Sequence, residues 1–249
     1  ITHMRPYANK LTEILEGLSS TVDASDAGVY TQSRSAKKIL LIPITSNRGL
    51  CGGFNSYIIK QTKQLINKEY KDLDVTILSI GKKSTEHFTK NNFNVVANHD
   101  DLFGDLTFNN VSAIAEDIMA QFALGKYDKI ILVYNRFKNA ATQIITTETF
   151  LPIKSSQEKS NKGGDYIFEP TQKEIVQKLI PKSLKTQLFK AVLDSHAAEH
   201  GARMTAMHKA TDNASELKKE LTLTYNKARQ AAITGEILEI VGGAEALNG

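Results

Sequence analysis

KSLKTQLFKAVLDSHAAEHGARMTAMHKATDNASELKKELTLTYNKARQAAITGEILEIVGGAEAL, Lys182–Leu247, is a run of 66 residues without a proline. It is rich in Ala, Leu, Lys, Glu and Gln, the residues that cost least to place in a helix. At about 1.5 Å per residue it predicts one rod of about 100 Å. Helices in compact domains average only three or four turns. A rod of this length must bury its apolar stripe on something beyond its own domain, so the reading turns on what it is pushed into.

The stripe can be followed residue by residue. Ala210, Ala214, Leu217, Leu221, Thr224, Ala228, Ala231, Gly235 and Leu238 recur at three- and four-residue spacing over four heptads, the pattern of a coiled coil. The small residues on this seam let a partner helix come close. In the last turns the apolar residues Ile233, Ile237, Leu238, Ile240 and Val241 spread over more than one face. A helix apolar all round must be buried all round, so this tip predicts a hydrophobic socket in another protein.

Upstream, the chain reads differently. KILLIPIT, Lys38–Thr45, is a continuous apolar run, as expected of a strand buried on both faces. A glycine-rich turn follows, then a helix over about Asn55–Tyr70. Asp74–Ile80 is a second strand closed by Gly81, Lys82–Thr89 a short helix, and Phe93–Ala97 a third strand. Val111, Ile114, Ala115, Ile118, Met119 and Phe122 give an amphipathic helix over Thr107–Leu124, and Lys129–Tyr134 a fourth strand. Ala141–Ile153 reads as an edge strand or hairpin partner, Lys154–Asp165 as a mobile polar loop, and Tyr166–Glu169 as one further short strand. Strand–helix alternation of this kind implies βαβ units and a mainly parallel sheet. At the start, Tyr7, Leu11, Ile14, Leu15 and Leu18 share one helical face, with Pro6 awkwardly inside it. This reads as the end of a longer N-terminal helix. The expected organisation is a helical remnant over residues 1–20, a Rossmann-like α/β domain over 36–170, and a long helix over 182–249. The two terminal helices are expected to pair as an antiparallel coiled coil.

Composition bounds the rest. The 249 residues are 41% hydrophobic and 23% charged, with a net charge of +4, enough for one sizeable core and an extension. That mild charge does not make a nucleic-acid footprint, which needs a concentrated basic face. A lone cysteine, Cys51, excludes an internal disulfide and suits a reducing compartment. No apolar run approaches the 18 or so residues of a membrane span, and no signal peptide is visible.

Two motifs invite chemistry. Gly49-Leu50-Cys51-Gly52-Gly53 occupies the strand-to-helix position of a phosphate-binding turn. It matches neither G-x-G-x-x-G nor G-x-x-x-x-G-K-[ST], so it reads as a tight turn that needs glycine dihedrals. His196, Glu199 and His200 match H-x-x-E-H, an inverted zinc-protease signature. A third ligand and a cleft are missing, and Glu216 and Glu239 lie farther along the same rod, so the pair reads as two exposed histidines on a polar face. Neither a catalytic residue, a metal nor a cofactor is expected.

Four segments carry a family resemblance. TSNRGLCGGFNS (Thr45–Ser56), HGARMTAMHKATDNA (His200–Ala214), LTYNKARQAAIT (Leu223–Thr234) and EILEIVGGAEAL (Glu236–Leu247) closely resemble the gamma subunit of F-type ATP synthase, over nearly the whole chain. The resemblance implies a central rotor stalk with no catalytic residues of its own and no direct nucleotide binding. Its coiled coil would turn inside a ring of alpha and beta subunits, while the foot meets the epsilon subunit and the c-subunit ring. Proton flow turns that ring, and the shaft drives the beta sites through ATP synthesis or hydrolysis. By the same resemblance Arg229, Gln230, Thr234 and Glu236 are the polar contacts with beta. Ile233, Ile237, Leu238, Ile240 and Val241 form the bearing tip, and Lys185, Phe189 and Asp194 mark the region near epsilon and the c ring. The implied location is peripheral, on the cytoplasmic face of a bacterial inner membrane rather than on the mitochondrial inner membrane. The chain departs from the family pattern in three places. The family's N-terminal helix is longer, Asn47 stands where Asp is usual, and Gly235 stands where Gln is common. With one cysteine, the regulatory dithiol of the plant chloroplast form is absent. The competing readings are a zinc peptidase built on His196, Glu199 and His200, a nucleotide-binding α/β enzyme using the glycine turn, and a coiled-coil scaffold without rotary function.

Overall fold

A computed structural model describes residues 4–8, 10–11, 29–32, 34–153 and 172–248, with side chains in the last segment from 178 to 247. They fall into two units, Ile1–Met204 and Thr205–Gly249. The described residues of the first unit form five strands: β1 (Lys38–Pro43), β2 (Asp74–Ser79), β3 (Val95–Asn98), β4 (Lys129–Asn139) and β5 (Thr142–Leu151). Their order in the sheet is β3-β2-β1-β4-β5. The first four run parallel, with Leu41 of β1 level with Ile77 of β2 and Ile131 of β4. Only β5 is antiparallel; it pairs with β4. This is the Rossmann-like, mainly parallel sheet expected from the strand–helix alternation, with the antiparallel strand at one edge.

Alternation along β1 explains why Ile39–Ile42, buried within the sheet, has no polar position. Ile39 and Leu41 point to one face and join Ile58, Leu65 and Tyr70; α1 (Phe54–Gln64) with its π-helical end, Leu65–Glu69, supplies this layer. Leu40 and Ile42 point to the other face and meet Val111, Ile118 and Phe122 of α3 (Phe108–Ala123). The short helix α2 (Lys82–Lys90) follows β2. Thr107 caps α3, its side chain accepting from the Asn110 amide at 3.3 Å, which satisfies one of the free N–H groups of the first turn.

The long helix α4 spans Gln172–Asn248 and therefore begins ten residues before the Lys182 start expected from the sequence. Pro181 lies inside it. A proline removes one backbone donor and crowds the preceding turn, so local propensity alone starts the helix after it. Packing overrides that local cost: Ile180 on one side of the proline and Leu184 and Leu188 on the other are buried in the core with α3 and the sheet. Residues 4–8 and 10–11 are helical, Pro6 included. Ile14, Leu15 and Leu18, and hence most of the expected hairpin partner of the long helix, lie outside the described residues. The loop Lys154–Asp165 and the strand Tyr166–Glu169 also lie outside them. The third strand starts at Val95 rather than Phe93, and the fourth runs on to Asn139 as one arm of a hairpin.

In the second unit, every described residue from Met207 to Leu247 except Gly235 is exposed. Leu217, Leu221, Tyr225, Ile237, Leu238 and Ile240 each leave more than half of their surface uncovered.

Candidate functional site

The glycine turn after β1 is tied to its neighbours by side chains. The Ser46 amide donates to Asn55 Oδ1 at 2.9 Å, and Ser46 Oγ donates to the Arg48 carbonyl at 2.6 Å. Leu50 and Gly52 take left-handed φ values of 62° and 58°, tolerated without strain by glycine and costly for leucine. Cys51 and Phe54 are buried in a small cluster with Ala198 and Ala202 of α4. Arg203 Nη2 reaches back to the carbonyls of Arg48 and Gly49 at 3.4 and 3.3 Å. The turn thus clasps α4. Asn47 has a specific task in it: its Nδ2 donates to the Asp100 carbonyl at 2.7 Å, and its Oδ1 accepts from the Lys82 amide at 2.9 Å. A carboxylate could perform only the second of these, which gives the departure at this position a physical reason.

The histidine motif is not the polar surface expected of it. His196 is half-buried and its ring stacks on Phe103, with centroids 5.7 Å apart and planes at 22°. Its Nε2 lies 3.2 Å from Nε2 of the exposed His200. Burial first, and then the neighbouring His200, hold His196 below the ordinary imidazole value. Glu199, buried between them in sequence, pairs instead with Arg203 at 2.7 Å. Among the described residues there is no group of three or more His, Cys, Asp or Glu able to hold a metal. Nothing supports the peptidase alternative.

The residues expected near a foot partner are engaged within the first unit. Asp194 is 1% exposed and pairs with Arg5 at 2.5 Å. Arg5 also donates to the Phe137 carbonyl. Lys185 pairs with Glu116, and Phe189 packs edge-on against Phe108 with centroids 5.4 Å apart. Arg5 and Arg203 were missed in the sequence. Arg203 lies in HGARMTAMHKATDNA, where nothing local points to its distant carbonyl partners, and nothing local marks Arg5, because its partner is 189 residues away.

In the second unit Arg229, Gln230, Thr234 and Glu236 are exposed, as are Ile233, Ile237, Leu238, Ile240 and Val241. Ala214, Leu217, Leu221 and Tyr225 line a shallow apolar groove along the seam. The hydroxyls of Thr211, Ser215, Thr222 and Thr224 donate to the carbonyls one turn back, at 2.8 to 3.0 Å.

A sequence profile described as ATP synthase matches residues 1–247. The ATP synthase gamma chain of Flavobacterium johnsoniae is 59% identical over 250 residues, covering 100% of this chain and 87% of the relative. The chain belongs to the ATP synthase gamma chain family. The gamma chain of Christiangramia forsetii is 56% identical, again covering 100% of this chain and 87% of the relative. Among solved structures, a chain of the Euglena gracilis mitochondrial ATP synthase, in its OSCP/F1/c-ring assembly, superposes with a TM-score of 0.66 at 22% identity. It covers 99% of this chain and 91% of that one, and it shares the gamma chain fold. Among the described residues no helix is long and apolar enough to cross a membrane.

Proposed function

We propose that this member of the gamma chain family is the central rotor stalk of an F-type ATP synthase. It couples rotation of a proton-driven c-subunit ring to ATP synthesis or hydrolysis in beta subunits. The observation that carries this reading is the uncovered seam and tip of α4. Exposed apolar residues at heptad spacing, continuing from Ala210 to Val241, are a surface that a helix and a socket must cover.

The back-bonded hydroxyls suit such a shaft. Thr211, Ser215, Thr222 and Thr224 each spend their proton inside the helix. A hydroxyl already satisfied within its own helix can pass an apolar wall without becoming an unpaired donor. In this reading Ile233, Ile237, Leu238, Ile240 and Val241 are the bearing. Arg229, Gln230, Thr234 and Glu236 form the polar patch that grips the beta subunits at preferred angles.

The alpha subunits complete the sleeve. The surface of α4 around Lys185 and Phe189 meets the epsilon subunit and the c ring. Asp194, assigned to that region by the same resemblance, is buried and paired with Arg5, so it acts there through packing rather than by touching a partner. The chain supplies no catalytic group and binds no nucleotide, so the chemistry belongs to its partners. The complex holds it peripherally, on the cytoplasmic face of a bacterial inner membrane.

Reconstitution of the full-length subunit with alpha and beta subunits tests the reading. The expected result is a stoichiometric complex whose ATP turnover depends on this subunit. A complex with equal turnover in its absence, or failure of the intact subunit to join alpha and beta, would overturn it.

A further inference from the structure

We propose that His196 and His200 form an open, two-ligand site for a transition-metal dication of the Zn2+ or Ni2+ class, independent of the rotor reading. The two imidazoles lie one turn apart on α4, with their Nε2 atoms 3.2 Å apart and their planes at 86°. Metal–imidazole bonds are about 2.0–2.1 Å long. Half of the 3.2 Å separation is 1.6 Å, and 1.6 divided by about 2.05 is the sine of half the bite angle, so the angle at the metal is about 100°, close to tetrahedral.

Other contacts prepare the site. The stack on Phe103 fixes the His196 ring. Glu199 is held away by Arg203, at 2.7 Å, so it does not compete as an acceptor for the ring protons. A recess of about 500 Å³, walled by Phe137, Leu193, Ala197 and Met204, runs beside both imidazoles. It leaves room for the water molecules that complete a four-coordinate shell. Without a metal, one Nε2–H donates to the other Nε2. Coordination moves that proton to Nδ1 of the same ring, so both rings stay neutral and each offers an Nε2 lone pair. Two nitrogen donors favour Zn2+ or Ni2+ and give Mg2+, which demands oxygen ligands, no foothold. A bound ion braces one turn of α4 beside the glycine turn that clasps it.

Calorimetry on the untagged, metal-free full chain tests the site, with Zn2+ and Ni2+ titrated separately and Mg2+ as the contrast. We expect one Zn2+ or Ni2+ per chain, no Mg2+ binding, and affinity lowered by about tenfold or more in H196Q and in H200Q. A second readout needs no variant. Substoichiometric Ni2+ should broaden the imidazole resonances of His196 and His200 before those of His87, His99 and His208. Binding weaker than about 1 mM, unchanged affinity in the double variant, or broadening that begins at another histidine would overturn the proposal.

Discussion

Arg5 and Asp194 meet at 2.5 Å across 189 residues of sequence, the carboxylate 1% exposed and the guanidinium side chain 32% exposed. Among the described residues Asp194 Oδ2 and Arg5 Nε, both buried, have no hydrogen-bond partner, so the Nη2–Oδ1 contact alone joins the two charges. Removing either partner strands a charge that was placed for the other. A fully buried pair costs about 3–5 kcal/mol to break, and the partial exposure of Arg5 lowers this through solvent screening. Asp194→Ala should therefore lower unfolding free energy by about 2–3 kcal/mol, and Asp194→Asn by less, because it keeps the acceptor. Urea unfolding measures both. Equal stability of wild type and Asp194→Ala would show that the contact contributes nothing.

Two glycines should respond oppositely to the same change. At Gly81, with φ at +99°, an added Cβ would stand 2.1 Å from the Thr45 carbonyl oxygen. Strain and overpacking together give Gly81→Ala an expected cost of about 3 kcal/mol. At Gly235 no described residue beyond its own helical turn comes within 4 Å of the added atom, and alanine favours a helix interior by about 1 kcal/mol. Amide exchange in the isolated chain should slow around Gly235→Ala. Faster exchange there would mean that glycine is not the soft point of this helix.

Arg229 and Gln230 are neighbours on a helix and point about 100° apart; both are exposed. Charge-assisted hydrogen bonds from such a patch are worth about 1.5–3 kcal/mol each. They must form and break as a shaft turns, so they act on rate rather than on folding. In the full-length subunit, Arg229→Ala and Gln230→Ala should leave the complex assembled and cut ATP turnover by about tenfold or more. Normal turnover in both would remove these side chains from the coupling step, and failed assembly would make them structural.

Acid should loosen the first unit through its imidazoles. Burial, then Lys63, holds His87 below its ordinary value of 6.5, and burial likewise lowers His99 despite Asp117 and Asp100. A depressed folded-state value means that the native chain binds fewer protons than the unfolded chain. The stability these groups contribute is complete above pH 6.5 and is lost as pH falls from there through the lowered folded values. The urea midpoint should drop across that window, and His87→Gln should make the drop shallower. An identical pH profile in the variant would exclude His87 as a source.

Local patterns in the chain dictated much of this structure. The unbroken apolar run of β1 announced a strand buried on both faces, because Ile39 and Leu41 serve one layer while Leu40 and Ile42 serve the other. Heptad spacing from Ala210 onward announced a helix with an apolar seam made for a partner, and its motifs pointed to the family. These are short-range regularities, set by the periods of helix and strand. Tertiary structure decided what depends on residues far apart in sequence. It carried α4 through Pro181, since burial of Ile180, Leu184 and Leu188 outweighs one lost hydrogen bond. It gave Asp194 to Arg5, Asn47 to the Asp100 carbonyl, and Glu199 to Arg203 rather than to a metal. Sequence period says which way a side chain faces; only packing in three dimensions says what stands opposite it.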